Sequence, residues 1–234
     1  MGPRRVQVLA EGCLDLQVAK LLVGSVGVEA RFETIRGWRA TVQQAASRAA
    51  SFGLPTLAFI DSDVGASSRI REIEELLQKS GSIRGGLDPV RSESEGAHAV
   101  GARARLDSGG EVLVVLWVDP YDPEGRGGTV ESLLEAMIGD AYGCRVRCTD
   151  PRGAPGCGAC PSGALRAARV AEKLSVLVAL ASCYGGGTLV AVADEGSGRC
   201  GLPVYSIMSK LGKLRETGPY KAYSKLLSEL LSRG

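Results

Sequence analysis

The chain has 234 residues, 44% of them hydrophobic and 23% charged. These are globular proportions that exclude wholesale disorder, while a formal net charge of +2 argues neither for nor against a nucleic-acid partner. The single histidine, His98, excludes histidine-rich metal centres and any catalytic dyad that lacks it.

The length suits one large domain, or one domain with a smaller appendage. The longest apolar run, "LSVLVALASC" at 174–183, is about half of what a membrane span needs, so no membrane partner is expected. After Met1 the only early apolar stretch is "VQVLA", too short for a secretory signal. Seven cysteines, an odd number, in a chain without such a signal point to the cytoplasm.

In chain order, "RRVQVLA" (4–10) reads as a short strand that runs into a turn at Glu11-Gly12. Leu14, Val18, Leu21 and Leu22 then recur at helical spacing. "VEARFETI" (28–35) alternates apolar and charged residues, as a half-exposed strand does. "WRATVQQAASRAASFG" (38–53) is rich in helix formers and stops at a glycine. "LPTLAFI" (54–60) is continuously apolar, the mark of a strand covered on both faces. "ASSRIREIEELLQKSG" returns to helix, with Ile70, Ile73, Leu76 and Leu77 on one stripe. Alternation of strand and helix is the pattern of an open α/β sheet.

From 82 to 110 glycine, serine and arginine dominate, and His98 reads as part of a surface loop. "AVGARARL" and "EVLVVLWVD", separated by "DSGG", form a hairpin. Helices follow at 129–141 and from about 162, then a strand at 187–193 and an amphipathic closing helix with Tyr220, Tyr223, Leu226, Leu227, Leu230 and Leu231 on one face. Residues 201–234 carry six basic side chains against two acids, which reads as a solvated helix face. The organisation expected is an α/β core with a hairpin insertion at 1–143, a cysteine-rich loop at 144–161, and helices with a strand at 162–234 packing on the core.

Acids cluster where strands end. Parallel strands wound by right-handed crossovers all end at one sheet edge, and ligands of open α/β sheets bind there. Glu11 follows the first strand and Asp61 ends the third; if those two strands are neighbours, the side chains meet over one point. Asp63 is two residues beyond Asp61, and an extended backbone projects both to the same side. Carboxylates this close repel unless a cation sits among them, and an all-oxygen set suits Mg²⁺ or Mn²⁺. The competing assignment makes Asp63 the cap of the next helix and Asp61 a solvated loop acid.

"VLAEGCLDLQVAKLL" followed by "LAFIDSDVG" resembles the toprim fold of topoisomerases, primases and OLD-type nucleases, in which one strand ends in Glu-Gly and a later one in Asp-x-Asp. "GGTVESLLEAM" is similar to a segment of the small stand-alone toprim-like proteins, and Asp15 falls where these and the OLD-type proteins carry an aspartate. The resemblance implies a toprim-like open sheet flanked by helices with a helical C-terminal portion. It implies that Asp61 and Asp63 hold Mg²⁺ or Mn²⁺, and that Glu11 is a general base or acid or a further ligand. It also implies that Asp15 and Glu131 are further acids near the metal. Two positions depart from the pattern: Gly65 stands where many toprim proteins have a third acid, and Cys13 where many have a basic residue. Haloacid-dehalogenase-type phosphatases also open on Asp-x-Asp, but their motif continues with threonine and needs no Glu-Gly strand before it. A receiver-like domain also gathers acids at strand ends, but is shorter than this chain.

"DPYDPEGRGGTVES" (119–132) is a glycine-rich loop entering a helix, receptive to phosphate or simply a loop whose Glu131 complements the helix dipole. Cys144, Cys148, Cys157 and Cys160 lie within 17 residues and suit a structural Zn²⁺ site or disulfides, with free thiols as the third option. The function expected is a Mg²⁺-dependent phosphoryl-transfer enzyme acting on DNA or RNA, a nuclease. The rival is a non-catalytic, metal- or nucleotide-binding regulatory module.

Overall fold

The computed structural model describes residues 4–142 and 212–232. Strand, helix and strand follow in order: β1 (Arg5–Ala10), α1 (Cys13–Val23), β2 (Glu29–Thr34), α2 (Trp38–Phe52), β3 (Thr56–Asp61) and α3 (Ala66–Lys79). Then come β4 (Asp88–Ser94), β5 (Ala97–Arg105), β6 (Glu111–Trp117), α4 (Val130–Tyr142), a 3₁₀ turn at Gly212–Glu216 and α5 (Gly218–Ser232). The cysteine cluster, the helix expected from 162 and the strand at 187–193 lie outside the described residues.

The strands form one mixed sheet of six in the order β2-β1-β3-β6-β5-β4. β1 pairs in parallel with β2 and β3, and β3 with β6, whereas β5 runs antiparallel to both β6 and β4. α2 and α3 pack together on one face; α1, α4 and α5 pack together on the other. The protein is therefore an α/β sheet flanked by helices, closed by a helical C-terminus. Strand burial follows the sequence pattern. The apolar β3 is buried on both faces, while edge strand β2 alternates exposed and half-buried residues.

The chain leaves β1 towards β2 on one side and returns through α2 to β3 on the other. The winding thus reverses between β1 and β3, which opens a crevice at their carboxyl ends. Beneath it lies an aromatic stack: Phe59 and Trp117 have ring centroids 5.0 Å apart, and Trp117 and Tyr223 5.7 Å apart. Tyr223 is buried on α5, and its hydroxyl donates to the Leu116 carbonyl at 2.7 Å and accepts the Val118 N–H at 3.0 Å. One side chain thus closes the end of β6 and fastens the C-terminal helix to the sheet.

The stretch read as loop contains a strand. Residues 88–94 form β4, joined to β5 by a two-residue turn at Glu95 and Gly96, both with positive φ (53° and 76°). His98 consequently lies in β5, opposite Glu93, and its N–H donates to the Pro120 carbonyl at 2.8 Å. The sequence "DPVRSES" hides this strand because it is an exposed edge, where proline and charge are tolerated.

Candidate metal centre

β1 and β3 are adjacent, with Ala10 opposite Phe59, so Glu11 emerges beside Asp61. The Asp61 backbone N–H donates to Glu11 Oε1 at 3.0 Å, tying the two strand ends across the crevice. Burial is the main reason that the Glu11 carboxyl is raised to about 6, with repulsion from Asp15 and Asp63 adding to it; the Asp61 N–H and the Arg69 charge pull the other way. Asp61 is raised further, to about 8. Burial is again the leading cause, followed by the charges of Asp15, Glu11, Asp63 and Glu131.

The other four acids picked out in the sequence therefore all act on Asp61, although they come from different elements. Asp15 is buried in the first turn of α1, and its Oδ2 lies so close over Gly12 that a Cβ there would stand 2.8 Å away. Glu131 is in the first turn of α4, where the Ser132 N–H donates to Thr129 Oγ1 at 3.4 Å. Asp61 Oδ1 and Glu131 Oε1 are buried and accept no hydrogen bond. Buried acceptor atoms without donors are costly, and a hard cation satisfies them.

Asp63 departs from expectation. β3 ends at Asp61, and 62–65 form a turn closed by the Gly65 N–H on the Ser62 carbonyl at 2.7 Å. The two aspartates therefore do not project alike from an extended strand. The Asp63 side chain is 59% exposed and sits 3.5 Å from the Arg69 guanidinium. Nor does it cap α3. That end is held by Glu124, whose Oε2 accepts the Ser67 N–H at 2.9 Å and whose carboxylate also pairs with Arg91. Among the described residues no three acidic, histidine or cysteine side chains stand together as a ready-made metal cage. The donor chemistry and the unsatisfied oxygens fit a divalent cation, whereas Asp63 Oδ2 is paired with Arg69.

Arg69 was not anticipated. It is 4% exposed, lies over the Trp38 ring at 4.5 Å, and donates from Nε to the Asp61 carbonyl at 3.0 Å and from Nη1 to Glu72 at 2.7 Å. The signal was present in the sequence: Ala66, Arg69, Ile70, Ile73 and Leu77 share the buried stripe of α3, and a charge on a core stripe needs partners.

The glycine at the third-acid position also has a cause. Gly65 has φ +88° and ψ 151°, a region open to glycine alone, and a Cβ there would stand 2.5 Å from the Glu124 carbonyl. The 119–128 loop occupies that space. It is bound to the turn by the Ala66 N–H on the Pro123 carbonyl, the Gly127 N–H on the Asp63 carbonyl and the Ser62 N–H on the Gly128 carbonyl. The glycine-rich loop thus buttresses the Asp-x-Asp turn.

No family model matches the chain, and neither a curated protein nor a solved structure does. Among the described residues no helix is long and apolar enough to cross a membrane.

Proposed function

We propose that this chain is a Mg²⁺- or Mn²⁺-dependent phosphoryl-transfer enzyme of toprim-like type that acts on nucleic acid as a nuclease. The observation that carries the reading is Asp61. It sits at the crevice where the winding reverses, four other acids act on it, and burial with their charges disfavours its ionised form, which a positive charge among them would restore. Asp61, together with Asp63 once released from Arg69, would hold the cation, with Asp15 and Glu131 near it. A bound cation supplies charge neutralisation at phosphate and a water of lowered pKa.

Glu11 has the proton-transfer role. With its carboxyl raised to about 6, it takes up or gives a proton close to neutral pH, and the Asp61 N–H fixes which oxygen remains free to do so. Nucleic acid as the substrate rests on the Glu-Gly and Asp-x-Asp resemblance. A second reading, a non-catalytic metal- or nucleotide-binding module, is favoured by the Arg69–Asp63 ion pair and by Gly65, which together leave fewer free carboxylates than phosphoryl transfer commonly uses.

Turnover separates the two. Single-stranded, duplex and structured DNA and RNA are incubated with the chain and Mg²⁺ or Mn²⁺, with a chelator control and with Asp61→Ala. Metal-dependent cleavage lost in the variant supports the nuclease. If Mn²⁺ binds and every substrate stays intact, the module reading replaces it.

A further inference from the structure

The chain that leaves β2 passes directly beside the acid cluster, because the Ile35 N–H donates to the Ala10 carbonyl at 2.8 Å, one residue before Glu11. Residues 36–39 read "RGWR". From Thr34 to Ile60 the sequence contains no acid, and its cations are Arg36, Arg39 and Arg48. Arg48 is committed to Glu33 at 2.7 Å. Arg36 and Arg39 are exposed and, among the described residues, belong to no ion pair. Trp38 is half-buried, with the Arg39 guanidinium 5.2 Å and the Arg69 guanidinium 4.5 Å from its ring. Arg69 in turn reaches Asp63 and the Asp61 carbonyl. Contact therefore runs unbroken from solvent at Arg39, through the indole, to the Asp-x-Asp turn.

We propose that residues 36–39 form a docking strip for single-stranded nucleic acid, with Trp38 as a stacking platform and Arg36 and Arg39 as phosphate contacts. It rests on the nucleic-acid reading above for its class of ligand. A polyanion cannot approach a group of carboxylates without cations that hold its flanking phosphates, and these two arginines stand where they are needed. The indole adds what lysines or arginines alone lack, a surface on which any base stacks. Duplex bases are already stacked on one another, so the platform selects single strands.

The test uses the full chain with a chelator present, so that binding is read without cleavage. The probes are a (dT)₁₂ oligonucleotide, a duplex of equal length, and vesicles of phosphatidylglycerol and phosphatidylcholine. Trp117 is fully buried, so ligand-dependent quenching of indole fluorescence reports Trp38. The single strand is expected to quench saturably and to bind more tightly than the duplex. Affinities of the variants are read from the anisotropy of fluorescein-labelled (dT)₁₂, which needs no tryptophan, and Trp38→Ala should weaken binding by about 5- to 150-fold. Trp38→Phe, which keeps an aromatic face and the packing on Arg69, should retain most of the affinity. Arg36→Gln with Arg39→Gln should lower the slope of log affinity against log salt by about 1.4, for two phosphates on a single strand.

The proposal is overturned if (dT)₁₂ fails to bind, if Trp38→Ala and the double arginine variant bind it as the unaltered chain does, if duplex binds equally well, or if vesicles quench and the oligonucleotide does not. Cleavage is scored separately with Mn²⁺. Binding through the strip without cleavage leaves this site standing and removes the nuclease. Cleavage with unaltered binding in both variants does the reverse.

Discussion

Asp61 and Glu11 are joined by a single hydrogen bond, backbone N–H to carboxylate, at 3.0 Å across the crevice between β1 and β3. The bond sets two carboxyls side by side: the Glu11 charge makes Asp61 harder to ionise, while the Asp61 N–H eases the ionisation of Glu11. A pH dependence follows. The folded-state pKa of Asp61, about 8, lies above the ordinary carboxylate value near 4, so the folded chain holds a proton that the unfolded chain has released. The stability that this provides is fully present below about pH 4 and is lost as pH rises through 8. Over that window the metal-free chain should lose stability with rising pH, by at most about 1.4 kcal/mol per pH unit from Asp61, with Glu11 adding to the fall between about 4.5 and 6. Thermal melts with a chelator across pH 5–9 read the slope. Asp61→Asn should flatten it and raise the melting temperature at pH 8, and saturating Mn²⁺ should flatten it in the unaltered chain. A melting temperature that climbs from pH 5 to 8 in the chelated protein contradicts the electrostatics argued for this site.

The position of the missing third acid is closed to side chains. Gly65→Asp should therefore fail to add a metal ligand and should cost stability: roughly 1–3 kcal/mol for the backbone region, and more for displacing the Glu124 carbonyl. Denaturant titration gives the loss, and Mn²⁺ titration by calorimetry shows whether affinity improves. A variant that folds as well as the parent and binds the metal more tightly would disprove the steric account.

Much of this was legible in the residues themselves. Glu11 and Asp61 were placed correctly because a strand's end is written in its apolar run, and two parallel neighbours must end together. β3 and β2 announced their burial by continuous and alternating hydrophobicity. Asp63 does not project beside Asp61, because the backbone is extended only as far as Asp61 and Gly65 and the 119–128 loop bend the chain there. β4 was missed because edge strands conceal themselves in proline and charge. Arg69 and Glu124 could not have been paired with their partners from sequence, since Arg69 joins α3 to α2 and Glu124 lies 57 residues from Ser67. Such contacts depend on how helices and loops are laid over the sheet, which local pattern does not encode.

Tyr223 offers a test of how the C-terminal helix supports the site. Tyr223→Phe keeps the ring in the aromatic stack but leaves the Val118 N–H and the Leu116 carbonyl without the hydroxyl. Both groups are buried, so the expected loss is about 1–3 kcal/mol in urea denaturation, largely for the unpaired N–H. Nucleic-acid binding at residues 36–39 should be unchanged, because α5 packs on the opposite face of the sheet from α2. A stability change below about 0.5 kcal/mol would mean that the hydroxyl is not what fastens α5 to β6.

Arg69 sets stability and cation affinity against each other. Arg69→Gln removes the donor to the Asp61 carbonyl, the partner of Glu72 and the cation over Trp38. Its two carboxylate partners are 59% and 43% exposed and recover water, so the loss is smaller than for a fully buried pair, at about 2 kcal/mol. The same change takes a positive charge away from Glu11 and releases Asp63, and both effects favour a divalent cation. Calorimetric titration should therefore show Mn²⁺ binding more tightly in a less stable protein. Asp63→Asn should do the opposite, lowering cation affinity while costing less than about 1 kcal/mol, because the ion pair it breaks is exposed on the aspartate side. If Arg69→Gln and Asp63→Asn both weaken Mn²⁺ to the same degree, the guanidinium is holding Asp63 in place for the cation and not competing for it.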